Sequence, residues 1–324
     1  MGIDKEQPLV SIGIVTYDRP EGLRTTLECI TGQSYKNLEI IVSNDCSPTK
    51  KTEEVVREFM ERDQRIKYYY QKKNITAFLN YAFVLEKATG EFFMWADDDN
   101  EWDKYFIEKC ISKFGNYSTV MCKARTFFCE TGKVLEGELP DLSPEYGVFK
   151  NACTNILEPS TAYYYGLHKR SDILWYLEMG GFDFFDCFLG TKLILDGNGI
   201  FLIRDYAGYQ SNVVGTERYC YKPYNPQPNR CFEYKPFIQA NFKLIAGSSK
   251  LSYIQKLILK TFVIWRVGRW YTKFEKRYKP IRVWLIKILM RQIKGIIKLQ
   301  KAIKKLFLVS TKGGKNVCNK RYIL

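Results

Sequence analysis

Histidine is nearly absent from the sequence: His168 is the single one in 324 residues. None of the ten cysteines forms a Cys-x-x-Cys pair. Together these gaps exclude zinc sites, which draw their ligands from closely spaced cysteines and histidines. No window of 18 uninterrupted apolar residues occurs, so no segment is expected to span a bilayer. The first strand-like run, Leu9 to Thr16, is followed by Tyr17-Asp18-Arg19-Pro20 where a dinucleotide-binding Rossmann domain has a Gly-x-Gly-x-x-Gly turn, and a P-loop is missing as well. Residues Met1 to Glu6 have no apolar signal core, and Glu6 stands where a myristoylation signal has Ser or Thr. The scattered cysteines then read as reduced thiols of a cytosolic compartment.

Acid is lacking in one region only. From Lys250 to Leu324 there are 21 Lys and Arg against the single Glu275, whereas the first 249 residues hold 29 basic and 34 acidic residues. The overall charge of +15 therefore belongs to the tail. A hydrophobic content of 46% excludes a wholly disordered chain, and the length suits one large α/β domain with an appendage, or two domains.

What the sequence does hold is a buried-looking run, Phe92-Phe93-Met94-Trp95-Ala96, that ends in Asp97-Asp98-Asp99. Such a run fits a strand covered on both faces, and in open α/β sheets ligands sit beyond the carboxyl ends of those strands. Three adjacent carboxylates need a positive partner. A hard divalent cation, Mg²⁺ or Mn²⁺, is the simplest one, because it takes oxygen ligands and needs only one or two from protein. The other reading is a solvated acidic turn. Carboxylates tied up in bridges to lysine or arginine, or turned away from any cleft, would overturn both the cation site and the function read from it.

Strand and helix patterns alternate along the first half. Strands are expected at Leu9 to Thr16, Leu38 to Val42 and Ile66 to Tyr70. Helices are expected from Pro20, from Thr52 to Met60 and from Ala77 to Leu85. Alternation predicts a mainly parallel, doubly wound sheet with its loops gathered at one edge. That edge would receive Thr16 to Arg19, Asn44 to Ser47 and Asp97 to Asp99 together.

Val10 to Pro20, Gln33-Ser34-Tyr35, Asn44-Asp45-Cys46-Ser47, Gly90-Glu91-Phe92 and Asp97-Asp98-Asp99, in that order, resemble the family 2 glycosyltransferases of GT-A fold. The match is close over about residues 8–115 and weaker to about 215. The resemblance implies a GT-A, Rossmann-like α/β fold, a nucleotide-sugar donor (a UDP- or GDP-sugar), Mn²⁺ or Mg²⁺ on the aspartates, and inversion at the sugar carbon. It implies that Thr16 and Asp18 line the base and ribose pocket, although the family usually has Asn at the latter position, and that Asp45 reads the uracil ring. Asn74 and Asn80 fall in the segment that meets the donor phosphates. Asp97 and Asp99 match the ends of the Asp-x-Asp motif, and Asp98 meets the ribose or donor sugar.

For the second half, Glu138 to Tyr146 reads as a flexible flap. His168 is either a third metal ligand or phosphate contact, or simply a hydrogen-bonded histidine at a strand end. By the same resemblance a carboxylate precedes a Leu-rich helix closed by Gly eleven residues on, a count kept from Asp186 to Gly197. Asp186 is therefore the expected general base. Asp183 is its rival, and a plain helix cap is the alternative role for Asp186.

The expected domains are a transferase domain at 1–222 (1–115 for the nucleotide-sugar, 116–222 for the acceptor), a linker or lid at 223–249 and a basic helical region at 250–324. At 100° per residue Lys287, Arg291, Lys294, Lys298, Lys301 and Lys305 form one stripe of a helix with an apolar stripe opposite. Trp284 adds an interfacial residue. An anionic membrane surface, the catalytic domain or a second copy in a homo-oligomer, and nucleic acid are the three partners such a helix admits. The first fits best, and no groove-reading motif supports the last. The expected whole is a cytosolic enzyme peripherally bound to a membrane and acting on a glycan or polyisoprenyl-linked acceptor. A nucleotidyltransferase would need a Gly-rich loop after the first strand, and the alternative outside enzymes is an inactive transferase-like lipid- or RNA-binding protein.

Overall fold

The computed structural model describes residues 7–129, 131–137, 139–213 and 233–274. The chain divides into two units, Met1–Val263 and Ile264–Leu324. In chain order the elements are β1 (Val10–Thr16), α1 (Pro20–Thr31), β2 (Leu38–Asn44), α2 (Lys51–Arg62), β3 (Ile66–Tyr70), α3 (Ala77–Lys87), β4 (Phe92–Asp97), β5 (Asn100–Trp102) and α4 (Phe106–Ser112). They continue as β6 (Thr119–Phe128), β7 (Lys133–Gly137), α5 (Val148–Leu157), β8 (Leu167–Lys169), α6 (Phe185–Leu195), β9 (Ile200–Val213), α7 (Tyr234–Gly247) and α8 (Tyr253–Phe274).

Among the described residues the strands form one sheet in the order β3-β2-β1-β4-β8-β6-β9-β5, with β7 on β6. The first four are parallel. Helices α1, α2 and α3 supply the long crossovers that parallel pairing requires. β1 and β2 are buried at every residue, which fits their mainly apolar character, and the polar residues they bury (Ser11 and Glu39 among them) find hydrogen-bond partners. The pairing of Thr16 with Asn44 and of Val15 with Asp97 brings the three expected loops to one sheet edge. Beyond β4 the sheet is mixed. β8 runs antiparallel to β4 and β6, β7 forms a tight hairpin with β6, and only β6 and β9 pair in parallel.

At the opposite end Glu39, 5% exposed, accepts hydrogen bonds from Ser11 Oγ (2.6 Å), the Thr89 N–H (2.9 Å) and Lys67 Nζ (2.6 Å). This clamp joins β1, β2 and β3 to the turn before β4. The seven cysteines among the described residues are free.

Two expectations need correction. The stretch read as a linker or lid, 223–249, contains α7, which buries Phe237, Leu244 and Ile245 and so is not a plain linker. A helix with an apolar face gains more from packing than from extending as a tether. The flap, too, is anchored. Leu142 is fully buried, Asn151 Nδ2 donates to the Leu142 (2.8 Å) and Ser143 (2.9 Å) carbonyls, and Tyr163 donates its hydroxyl to the Pro140 carbonyl.

In the second unit, the Arg266 guanidinium lies over the Trp270 ring at 5.0 Å and that of Arg269 over Trp265 at 5.4 Å. The basic stripe, Trp284, Lys287, Arg291, Lys294, Lys298, Lys301 and Lys305, lies outside the described residues. Among the described residues no helix is long and apolar enough to cross a membrane.

Gly22 shows how closely α1 sits on the end of β4. A Cβ built there would lie 2.1 Å from the Asp98 carbonyl oxygen, a backbone atom with little room to yield. Helix propensity alone would make Gly22→Ala stabilising by roughly 1 kcal/mol. The clash should win, with a net loss of about 1–3 kcal/mol seen as a lower denaturant midpoint; a higher midpoint would refute the close approach.

Candidate functional site

The three acids at the end of β4 have three different environments. Asp97 accepts the Tyr81 hydroxyl on one oxygen and the Tyr165 hydroxyl on the other. Tyr81 comes from α3 and Tyr165 from a short 3-10 turn, Thr161–Tyr165, so two distant segments meet at this carboxylate. Burial, reinforced by the charge of Asp97, raises both phenols far above their ordinary pKa and keeps them as donors. Burial pushes Asp97 itself up to about 7. The charge of Asp99 adds to this, and the two tyrosine hydrogen bonds act in the opposite direction.

Asp98 turns back under β1, 6% exposed. Its Oδ2 accepts Thr16 Oγ1 at 2.7 Å and the Tyr17 N–H at 3.3 Å, and its Oδ1 accepts Arg19 Nη1 at 3.3 Å. Burial pushes it up to about 6 against the opposing pull of Arg19. Asp99, the most open of the three, accepts the same Arg19 nitrogen at 2.5 Å. The turn carrying them is fixed from α1, where the Thr26 hydroxyl lies 3.0 Å from the Asp97 carbonyl and 3.1 Å from that of Asn100.

The positive partner expected for the acids is therefore present, and it is an arginine. Bridges to arginine were the arrangement expected to overturn the transferase reading altogether, and Asp98 and Asp99 have one, so these acids do not themselves carry that reading. Among the described residues no three His, Cys, Asp or Glu side chains form a metal-holding group.

The remaining sequence-derived residues divide clearly. Thr16 reaches the sheet edge but is 2% exposed and donates to Asp98. Asp18 is exposed, with positive φ (53°), its N–H on Ser47 Oγ and its carboxylate accepting Thr49 Oγ1. Asp45 is fully buried. Its N–H donates to the Thr16 carbonyl (2.9 Å) and its Oδ1 accepts the Ile75 N–H (2.7 Å), so it links the ends of β1 and β2 to the loop before α3. Asn74 is exposed in that loop and accepts the Thr76 N–H.

Burial overturns one expectation and decides an open alternative. Asn80 is fully buried, accepting Ser43 Oγ at 2.5 Å and donating to the Ser43 carbonyl at 3.1 Å; it cross-links α3 to β2 and is not open to a phosphate. His168 is fully buried too. Its Nδ1 lies 2.8 Å from Thr119 Oγ1 and its Nε2 3.0 Å from the Tyr164 carbonyl, so both nitrogens are engaged. It pairs with Phe93, and the four-residue rise of β4 to Asp97 separates that level from the acids by about 13 Å. Burial lowers its pKa to about 4 and keeps it neutral.

Asp186 sits in the first turn of α6 and accepts the Cys187 N–H at 2.8 Å. Burial raises its pKa, with hydrogen bonds from Cys187 as a partial offset. Asp183 instead accepts the Glu233 N–H at 2.7 Å. The neighbour of Asp186, Phe185, packs edge-on against Phe78 (5.3 Å) and Tyr164 (5.6 Å) and lies 6.3 Å from Tyr81, which holds Asp97. Trp95 on β4 stacks on Tyr164 at 4.5 Å. One aromatic platform thus supports both the strand end and the start of α6. Tyr81 and Tyr165 escaped the sequence reading of the site, and Arg19 was placed at this edge without being named as the acids' partner; their signals were a polar tip inside an apolar helix face, a triple tyrosine and a basic residue before Pro20.

A model of glycosyl transferase family 2 matches residues 11–172, half of the chain. The chain belongs to glycosyltransferase family 2. Membership rests on that match and does not depend on the acids being unbridged. Among family 2 relatives, the putative teichuronic acid biosynthesis glycosyltransferase TuaG of Bacillus subtilis is 29% identical over 121 residues, 35% of this chain and 48% of its own length. The GalNAc(5)-diNAcBac-PP-undecaprenol beta-1,3-glucosyltransferase of Campylobacter jejuni is 36% identical over 97 residues, 29% of this chain and 30% of its own. These matches span less than half of either relative. The structure of S. aureus TarS 1-349 in complex with UDP-GlcNAc superposes with a TM-score of 0.61 at 16% identity, covering 85% of this chain and 77% of that one. The GT-A-like fold, with its mostly parallel central sheet flanked by helices, is common to both.

The raised carboxylates give this family 2 site a pH signature. Folding lifts Asp97 and Asp98 from 3.8 to about 7 and about 6, so the native state binds more protons than the unfolded one. Their contribution to stability is complete below about pH 4 and is lost as pH rises through 6 to 7. Asp97→Asn should flatten the loss between pH 5 and 8 and raise stability at pH 8 by on the order of 1 kcal/mol, read from denaturation midpoints. An unchanged slope would contradict the assignment.

Proposed function

We propose that the chain is an inverting hexosyltransferase that moves a sugar from a UDP- or GDP-sugar to a hydroxyl of a glycan or lipid-linked acceptor. The observation that carries this reading is the family 2 match over residues 11–172, whose sheet edge brings Asp97, Asp98 and Asp99 to the ends of β1 and β2, with the first turn of α6 on the same aromatic platform. The relatives named as glycosyltransferases support the reaction class. The complex of TarS with UDP-GlcNAc supports a UDP-sugar, and the undecaprenol-linked substrate in the Campylobacter relative's name supports a lipid-linked acceptor.

A hard cation would find its most open ligand in Asp99, where the Arg19 guanidinium now stands, and would have to share the Asp97 oxygens with the two tyrosine hydroxyls. A Mn²⁺ or Mg²⁺ ion needs only one or two such ligands, which Asp97 and Asp99 would supply. Bound there, it would offset the charge that develops on the departing diphosphate. Tyr81 and Tyr165 fix the Asp97 carboxylate by holding an oxygen each. Thr16 holds Asp98 back under β1 and Asp45 anchors the loop carrying Asn74 through the Ile75 N–H, so that the exposed Asp18 and Asn74 would be the side chains facing the nucleoside. Asp186 takes the proton from the acceptor hydroxyl as its oxygen attacks the far face of the sugar carbon. Burial makes it a stronger base than a solvated carboxylate and moves its pKa toward the working range.

The basic region beyond Lys250, with its tryptophans, would hold the enzyme at an anionic membrane surface beside a lipid-borne acceptor. The Arg19 bridges favour one rival, an inactive transferase-like lipid- or RNA-binding protein.

Assays of donor hydrolysis and transfer with UDP- and GDP-sugar panels, with and without Mn²⁺, separate the two. Asp186→Asn should lose at least about a hundredfold in turnover yet keep nucleotide affinity, and Asp99→Ala should lose both. Normal turnover by Asp186→Asn would remove it as the base, and no reaction with any donor would favour the rival. In flotation assays the full chain should rise with vesicles containing anionic lipid and not with neutral ones; a chain that stays in the soluble fraction with both has no membrane role.

A further inference from the structure

Arg19 bridges the acids without being fixed by them. Among the described residues it is the only basic group bonded to Asp98 or Asp99, and it serves both through Nη1 alone. Its Nη2 and Nε make no hydrogen bond there. The side chain is 49% exposed. Its backbone, in contrast, is held. Asp18, immediately before it, is tied to Ser47 and Thr49, and Pro20, immediately after it, opens α1. The guanidinium can therefore swing about its own side chain with no change in the loop.

A guanidinium carries five N–H donors in a planar fork, and that fork matches phosphate oxygens as well as carboxylates. An arriving diphosphate would meet Asp98 and Asp99, whose charges repel it. The cation that now neutralises those charges is in place to receive the phosphates in their stead.

Resting on the transferase reading, we propose that Arg19 is a donor-binding residue and a displaceable counter-cation. It holds Asp99 until a divalent cation takes that carboxylate, and its guanidinium then turns to the oxygens of the nucleotide's diphosphate. Arg19 and the metal ion thus compete for Asp99 in the absence of nucleotide and cooperate in its presence.

Two affinities of the full-length chain test this in opposite directions. The first is for UDP, or GDP if UDP does not bind, by calorimetry in saturating Mn²⁺. The second is for Mn²⁺ without nucleotide, by electron paramagnetic resonance of the free ion. Arg19→Ala should weaken nucleotide binding about tenfold, the scale of a lost charge-assisted hydrogen bond, and strengthen Mn²⁺ binding several-fold. Arg19→Lys, which keeps the charge but not the fork, should fall between on both measures. A variant that merely loosened the fold would weaken both, which overturns the proposal, as would an unchanged value of either affinity. If wild type binds neither nucleotide, the transferase reading fails and takes this inference with it. If wild type binds and Arg19→Ala binds equally well, only the role of Arg19 is lost.

Discussion

Three consecutive carboxylates at the end of a buried strand repel one another and lose much of their hydration, and the surroundings of β4 are arranged around that cost. Each acid is answered differently. Asp97 receives two phenol hydroxyls, Asp98 a threonine hydroxyl and a backbone N–H, and Asp98 and Asp99 share one guanidinium. These donors come from the end of β1, the loop after it, α3 and the 3-10 turn before β8. The site therefore exists only once both halves of the sheet have assembled.

The aromatic residues turn that local requirement into architecture. Trp95 stacks on Tyr164, Tyr164 meets Tyr81 and Phe185 edge-on, and Phe78 stacks on Tyr176. Such contacts bury large areas and fix ring orientation, so the polar tips of Tyr81 and Tyr165 are aimed by packing and need no local scaffold. The same rings pack on Phe185, next to Asp186, and so tie the start of α6 to the end of β4 through apolar contact. Gly22 and Thr26 on α1 complete the frame from the other face.

Much of this was legible in the chain. The apolar runs at Val10, Leu38 and Phe92, interleaved with amphipathic helices, state the parallel half of the sheet, because every residue of β1 and β2 is buried and every crossover carries a helix. The second half was less legible. β8 is three residues long and β6 bends through a register shift, so neither has a periodicity to read. Asn80 was misplaced, and His168 left between two roles, for one reason: a polar side chain near a motif looks the same in sequence whether it faces a ligand or satisfies a buried partner.

The sequence by itself determined the elements, their parallel order through β4 and the position of the acids at a strand end, since strand burial and crossover length follow from hydrophobic spacing along the chain. Only the tertiary structure decided which cation balances those acids, which hydroxyls hold them, and that Asn80 and His168 belong to the interior. Those outcomes depend on groups up to 82 residues apart meeting in space, and no local pattern encodes such meetings.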